Sequence, residues 1–266
     1  MERLQRMIRP FILRRLKGDV LKDLPEKIEE NVFARLDGEQ MQLYDAYATR
    51  MKEMLSQQNE KEFQKGRMQI LSELTKLRQL CCDPGLLLED YHGESAKTDM
   101  CMELIVNAVG AGHKILLFSQ FTSMLDRLTE RLKKEGIDYY LLTGSVNKEK
   151  RMQMVESFNN DDVPVFCISL KAGGTGLNLT SADIVIHYDP WWNLAAQNQA
   201  TDRAYRIGQR NPVQVYRLIA QDTIEEKIVE LQQAKQSLAD TVTGGADGAI
   251  LSMNPEQLLQ LLGEEA

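Results

Sequence analysis

The sequence predicts an α/β fold built on a mostly parallel sheet with helices on both faces. Three observations predict it. From Lys97 onward, short and nearly continuous apolar runs alternate with amphipathic helical patterns, as strands do when crossover helices bury them on both sides. Ahead of that point, residues 38–82 show only helical periodicity, which inserts a helical hairpin before the sheet. After the last apolar run, Thr223 and Glu226 form a capping-box pattern that opens one more helix.

Four segments follow in order. Residues 1–36 are a basic lead-in, with Pro10 and Pro25 as breakers. Ile8, Phe11, Ile12 and Leu16 alternate with arginines, which suits either a docked connector or a solvated basic face. Lys27 to Leu36 (KIEENVFARL) has the alternation of an edge strand. Residues 37–96 form the helical protrusion. Leu43, Tyr47, Met51 and Met54 share one face, and Ile70, Leu74, Leu77 and Cys81 another. The polar SQQNEKEFQKG between them reads as a loop, and the methionines as core filler. No chemistry is assigned to this hairpin.

Residues 97–221 carry the sheet. Strands are expected at 114–119, 137–143, 163–170, 183–188 and 213–219. The helices between them are marked by Cys101 to Ala108, Phe121 to Leu132 and Met152 to Phe158. Residues 222–266 supply the helix from Thr223 with Ile224, Ile228 and Leu231, then a Gly/Ala-rich tail. The tail ends in a short helix with Leu258, Leu259, Leu261 and Leu262, which docks on the body or on a partner.

Composition narrows the class. The chain is 43% hydrophobic and 27% charged, with no apolar run of membrane-spanning length and no signal-peptide pattern at Met1. Four cysteines without metal-ligand spacing and three scattered histidines predict no zinc site, and a reduced, intracellular chain. The net charge of −7 weighs against a DNA-coating protein. It is unevenly spread: residues 1–22 balance at +5, leaving −12 for the rest. A local groove can therefore still bind nucleic acid.

The chemistry concentrates in Ser169 to Gln209. Ligands of an open parallel sheet meet the carboxyl ends of its strands. Here those ends carry Ser119-Gln120, Gly144-Ser145, Lys171 to Asn178, and Asp189 to Asn193. Gly173, Gly174 and Gly176 let backbone N–H groups approach an anion, although glycines in loops are more often steric. Arg203 and Arg206, three apart on an expected helix, can face one triphosphate, arginine's planar fork being suited to phosphate oxygens. On spacing alone, a solvated helical face with Asp202 as partner is the plainer reading. Trp191 and Trp192 admit two readings: both packed in the core, or one packed and one against bases. The chain contains no GxxxxGK[ST] phosphate loop and no acidic metal-binding pair beside one, so it should not hydrolyse ATP alone.

Together these stretches resemble the second RecA-like lobe of the Swi/Snf family of superfamily II DNA translocases. IRPFILRRLKGDVLKDLPEK at 8–27 is similar to that family's approach to the lobe. KILLFSQF is similar to its motif IV, ISLKAGGTGLNLTSADIVIHYDPWWN to motif V and its extension, and QATDRAYRIGQ to motif VI. The resemblance implies a RecA-like sheet with an inserted helical hairpin and a C-terminal brace helix. It implies that Arg203 and Arg206 reach across a cleft to ATP, with Arg206 the arginine finger and Gln199 beside it. Gly176 and Asn178 approach the ribose and the interlobe face. Ser119, Gln120, Gly144, Ser145, Lys171, Gly173 and Gly174 line the path of DNA phosphates, and Trp192 lies against the groove. ATP and Mg2+ are held mainly by a first lobe of the same polypeptide, and this lobe contributes no metal ligand of its own. Double-stranded DNA is the implied partner, with a DNA-bound protein such as RNA polymerase as the remodelled cargo and no membrane. The implied location is the nucleoid-associated cytoplasm of a bacterium or the nucleus of a eukaryote. Tyr205 stands where histidine is common, and Leu194 where proline usually follows Asn193. Two other functions fit less well: a lobe of an RNA helicase, and a helicase-like module that only docks partners.

Overall fold

The computed structural model describes residues 24–91, 93–173, 176–239 and 253–263. The basic lead-in before Leu24, Gly174 and the Gly/Ala-rich part of the tail lie outside these residues.

Six strands form one parallel sheet: β1 (Lys27–Ala34), β2 (Ile115–Ser119), β3 (Tyr139–Leu142), β4 (Val165–Ser169), β5 (Ile184–His187) and β6 (Val213–Ala220), in the order β1-β6-β5-β2-β4-β3. Every pairing is parallel, and KIEENVFA takes the expected place at an edge, Lys27 opposite Val213. The central strands β2, β4 and β5 are buried along their whole length. Each therefore reads as an unbroken apolar run, the signature of a strand covered on both faces.

Period-two geometry divides these side chains between two cores. Ile115, Leu117, Val165, Cys167, Ile184 and Ile186 meet α3 (Ala96–Gly110) and α4 (Thr122–Lys134) on one face. Leu116, Phe118, Phe166, Ile168 and Val185 point the other way, toward Phe158 of α5 (Lys148–Asn160) and the segment from Leu177 to Ala182.

The hairpin packs a third core from α1 (Gly38–Ser56) and α2 (Glu60–Cys82). Its loop is shorter than the sequence suggests. Asn59 accepts the Glu62 N–H at 3.0 Å, and the Glu62 carboxylate accepts the Asn59 N–H at 3.1 Å. That reciprocal cap starts α2 inside the polar stretch and leaves only residues 57–59 as the turn. The pattern at Thr223 is displaced too. Glu226 accepts from the N–H of Asp222, at 2.8 Å, while Thr223 accepts the Glu225 N–H at 3.2 Å. Asp222 has a positive φ of 56°, which turns its N–H toward Glu226.

The following helix α8 (Ile224–Ala239) and the tail helix α9 (Pro255–Leu261) both close on the hairpin. Met253, Leu258 and Leu261 join Tyr44, Met51 and Ile228 in one buried cluster. The tail helix thus docks on the body of this chain.

Candidate functional site

All six strands run the same way, so the carboxyl ends of β2 to β5 open toward one side of the sheet. β2 delivers Ser119 and Gln120 there, and β5 runs on through Tyr188 to Asp189. The Ser119 hydroxyl donates to Asp189 at 2.5 Å, the Gln120 N–H donates to the same carboxylate at 3.2 Å, and the Phe121 N–H donates to Ser119 Oγ at 3.2 Å. Ser119 is fully buried. Its hydroxyl shapes the end of β2, and its half-buried neighbour Gln120 is the better placed of the two to meet a ligand.

A residue of the hairpin completes this end of the sheet. Arg78, on α2, donates to Gln120 Oε1 at 2.9 Å, to the Pro190 carbonyl at 2.5 Å and to Asp189 at 3.4 Å. Its guanidinium lies 5.6 Å from the ring centroids of both Phe121 and Trp192. Sequence reasoning gave the hairpin no chemistry and missed Arg78. The signal was present: Leu74, Leu77, Arg78 and Cys81 share one helical face, and all four are buried. A charge in such a stripe requires partners.

The two tryptophans part company. Trp191 packs against the core of Phe118 and Phe166, its backbone N–H donating to Gln197 Oε1 at 3.2 Å, while Trp192 turns to the hairpin core and stacks on Arg78.

Beneath this surface lies a buried ion pair. Lys97 and Glu225 have no side-chain exposure and meet at 2.7 Å. Burial pushes the Glu225 carboxyl up, opposed by Lys97 and by the Ala220 N–H that it accepts. The Lys97 ammonium also sits 5.0 Å from the ring of Tyr188, whose hydroxyl donates to the Cys82 carbonyl at 2.9 Å.

The arginine pair sits otherwise than expected. α7 (Leu194–Thr201), capped by Asn193, ends at Thr201. Arg203 and Arg206 therefore lie in the turn that follows, with Arg203 6% exposed and Arg206 open to solvent. The turn is pinned: the Arg203 carbonyl accepts from the Leu179 N–H at 3.0 Å, and the Gln209 amide donates to the Ala182 carbonyl at 2.7 Å. Arg203 Nε is buried with no hydrogen-bond partner among the described residues. Burial lowers the guanidinium's pKa, the charge of Arg206 pushes the same way, and Asp202 opposes both. The two guanidiniums lie close enough for their charges to oppose each other, and a guanidinium is chemically suited to anionic oxygen.

β5 joins the two regions. His187, at its end, hydrogen-bonds through Nε2 to the Thr201 hydroxyl at 2.8 Å and stacks on Phe118. Burial lowers its pKa to about 3, helped by the charge of Arg217 and opposed by Glu29. It is neutral at physiological pH.

Of the remaining expected residues, Gly144, Ser145, Lys171 and Gly173 follow the carboxyl ends of β3 and β4. Gly144 and Ser145 form an exposed turn after β3, with Ser145 Oγ 2.8 Å from Thr143 Oγ1. Lys171 and Gly173 lie in the single turn of α6 (Leu170–Gly173). Gly176 is exposed at φ +47°, a conformation that favours glycine. Asn178 is exposed, its carbonyl accepting from Asn159 at 2.8 Å, and Gln199 is exposed on α7.

Residues 96–208 match the helicase conserved C-terminal domain, and residues 1–86 the SNF2-related domain. The fold is similar to that of a Sulfolobus solfataricus SWI2/SNF2 ATPase C-terminal domain, at a TM-score of 0.74 and 33% identity over 91% of this chain and 100% of that one. The chain belongs to the Swi/Snf family of superfamily II. Its sheet and flanking helices are the family's RecA-like fold. It is also similar to the Sulfolobus solfataricus SWI2/SNF2 ATPase core in complex with double-stranded DNA, at a TM-score of 0.72 and 35% identity over 100% of this chain and 56% of that one. A putative ATP-dependent helicase/translocase of Bacillus subtilis is 40% identical over 97% of this chain and 28% of its own length. This Swi/Snf chain spans about a quarter of the length of the first curated relatives it matches.

Proposed function

We propose that the chain is the second motor lobe of an ATP-driven double-stranded-DNA translocase that remodels nucleoprotein. The observation that carries this reading is the pinned turn holding exposed Arg206 beside buried, under-bonded Arg203. With no phosphate loop of its own, the chain needs a first lobe to hold ATP and Mg2+, the metal neutralising phosphate charge there. The planar Arg203 guanidinium suits a phosphate oxygen. Arg206 acts as the finger on charge developing at the transferring phosphoryl group, and Arg203 holds the neighbouring oxygens. Gln199, Gly176 and Asn178 face the nucleotide and the opposite lobe. Alone, the chain is inactive.

The DNA face is the rim of Gln120, Gly144, Ser145, Lys171, Gly173 and Trp192, with Ser119 acting through Asp189 and Gln120, and Gly174 is assigned to it from the sequence alone. Such contacts go to phosphates, so binding is salt-dependent and largely blind to sequence. The DNA complex of the Sulfolobus solfataricus relative supports a duplex as partner. The test is the ATPase rate of the full-length protein with duplex DNA and with structured RNA. Stimulation by the duplex, declining as salt rises, is expected. Stimulation by RNA in its place would favour the RNA-helicase reading, and stimulation by neither would overturn the proposal.

A further inference from the structure

We propose that Arg78 is a positioning residue through which the helical hairpin sets the DNA-facing ends of β2 and β5, so that it controls how hydrolysis becomes movement along the duplex. The inference rests on the translocase reading above.

The geometry is specific. Arg78 is buried and bonded to groups 42, 111 and 112 residues away in the chain. One terminal nitrogen holds Gln120 Oε1, and the other serves the Pro190 carbonyl and Asp189. With its oxygen held by Arg78, the half-buried Gln120 has its amide N–H groups left to offer, as donors suited to a phosphate. The same guanidinium plane is flanked by Phe121 and Trp192, which fixes the indole's tilt. The other side chains on this face of α2, Leu74, Leu77 and Cys81, belong to the hairpin core, so displacement of the hairpin carries Gln120 and Trp192 with it. A lysine can supply the charge but not the fork.

The test uses the full-length protein and measures triplex displacement and ATP hydrolysis in one reaction. The reported quantity is displacement per ATP. Arg78→Lys is expected to lower that ratio about tenfold, the equivalent of one lost charge-assisted hydrogen bond. In the 266-residue chain, whose two tryptophans a Trp191→Phe background reduces to Trp192, the emission should shift to the red. Adding Trp192→Ala to Arg78→Lys should lower the ratio little further, because both substitutions break the same link.

A wild-type ratio with unchanged Trp192 emission would overturn the proposal. So would equal loss of both rates together with a lowered melting temperature, which marks a merely structural residue. Phe121→Leu removes one face of the stack, keeps every hydrogen bond and covers a failure of Arg78→Lys to fold. It should lower the ratio about two- to threefold, and an unchanged ratio would count against Arg78. A wild-type protein that displaces no third strand would instead refute the translocase reading itself.

Discussion

The ends of β2 and β5 and the turn after α7 belong to one sheet but are finished in opposite ways. At the first, Ser119, Gln120, Asp189 and Arg78 bond to one another, and a buried Lys97–Glu225 pair lies beneath them. At the second, the backbone is pinned at Leu179 and Ala182 while Arg206 projects into solvent; an unmatched buried Nε is common to Arg203 there and Arg78 at the first. The difference separates a surface whose shape is set before any ligand arrives from one left unfinished for a ligand to complete. Groups that must grip a polymer through many steps gain from preorganisation. Groups that must act only on a transition state gain from being unmatched before it forms.

Substitutions should therefore act differently at the two ends. The largest effect is expected at the unfinished turn. Arg206→Ala in the full-length protein should lower DNA-stimulated ATP hydrolysis about 10³- to 10⁵-fold, as loss of an arginine finger does. Its melting temperature should hardly move, because the side chain is exposed. Stopped hydrolysis with a matching loss of stability would erase the distinction. At the preformed end the balance reverses. Glu225→Ala leaves the Lys97 charge buried without its partner and should destabilise the fold by about 3–5 kcal/mol in chemical denaturation. A loss below about 1 kcal/mol would show that the network beneath Asp189 is not what holds that end.

His187 links the two regions and adds a pH dependence. Its folded pKa, near 3, lies below the unfolded value of 6.5, so below pH 6.5 the unfolded chain binds the extra proton. Stability contributed by neutral His187 is present above pH 6.5 and is lost as pH falls from there toward 3. By pH 5 the loss should reach about 2 kcal/mol. His187→Gln should flatten that part of the stability profile, and a profile as steep as wild type would assign the loss to other groups. The smallest effect is expected away from both regions. Asn59→Ala removes the α2 cap and should lower stability by about 1 kcal/mol while leaving hydrolysis unchanged. If it also changed the hydrolysis rate, the hairpin would reach the arginine turn as well as the DNA face.

Most of the fold was legible because continuous apolar strands and amphipathic helices leave periodic traces. The edge strand from Lys27, the parallel order and the helix-covered faces all follow from those patterns. The misses have local causes. The cap at Asn59 lies in a polar stretch without apolar period, so helix there read as loop. Arg203 and Arg206 kept their helical spacing, yet α7 stops at Thr201 because the following turn is held by distant groups, Leu179 and Ala182, which no local pattern reports. The partnership of Arg78 with Asp189 spans 111 residues, and its one local trace, a charge on an otherwise apolar helical face, went unread.

The central claim is that this chain is half of an ATP site. It is tested most directly by assaying the 266-residue chain with Mg2+-ATP and duplex DNA, alone and mixed with the separately purified first lobe. The expected result is no hydrolysis above background for the chain alone, and DNA-stimulated hydrolysis once the first lobe is added. Hydrolysis by the chain alone, abolished by Arg206→Ala, would contradict the account and place a complete site within these residues.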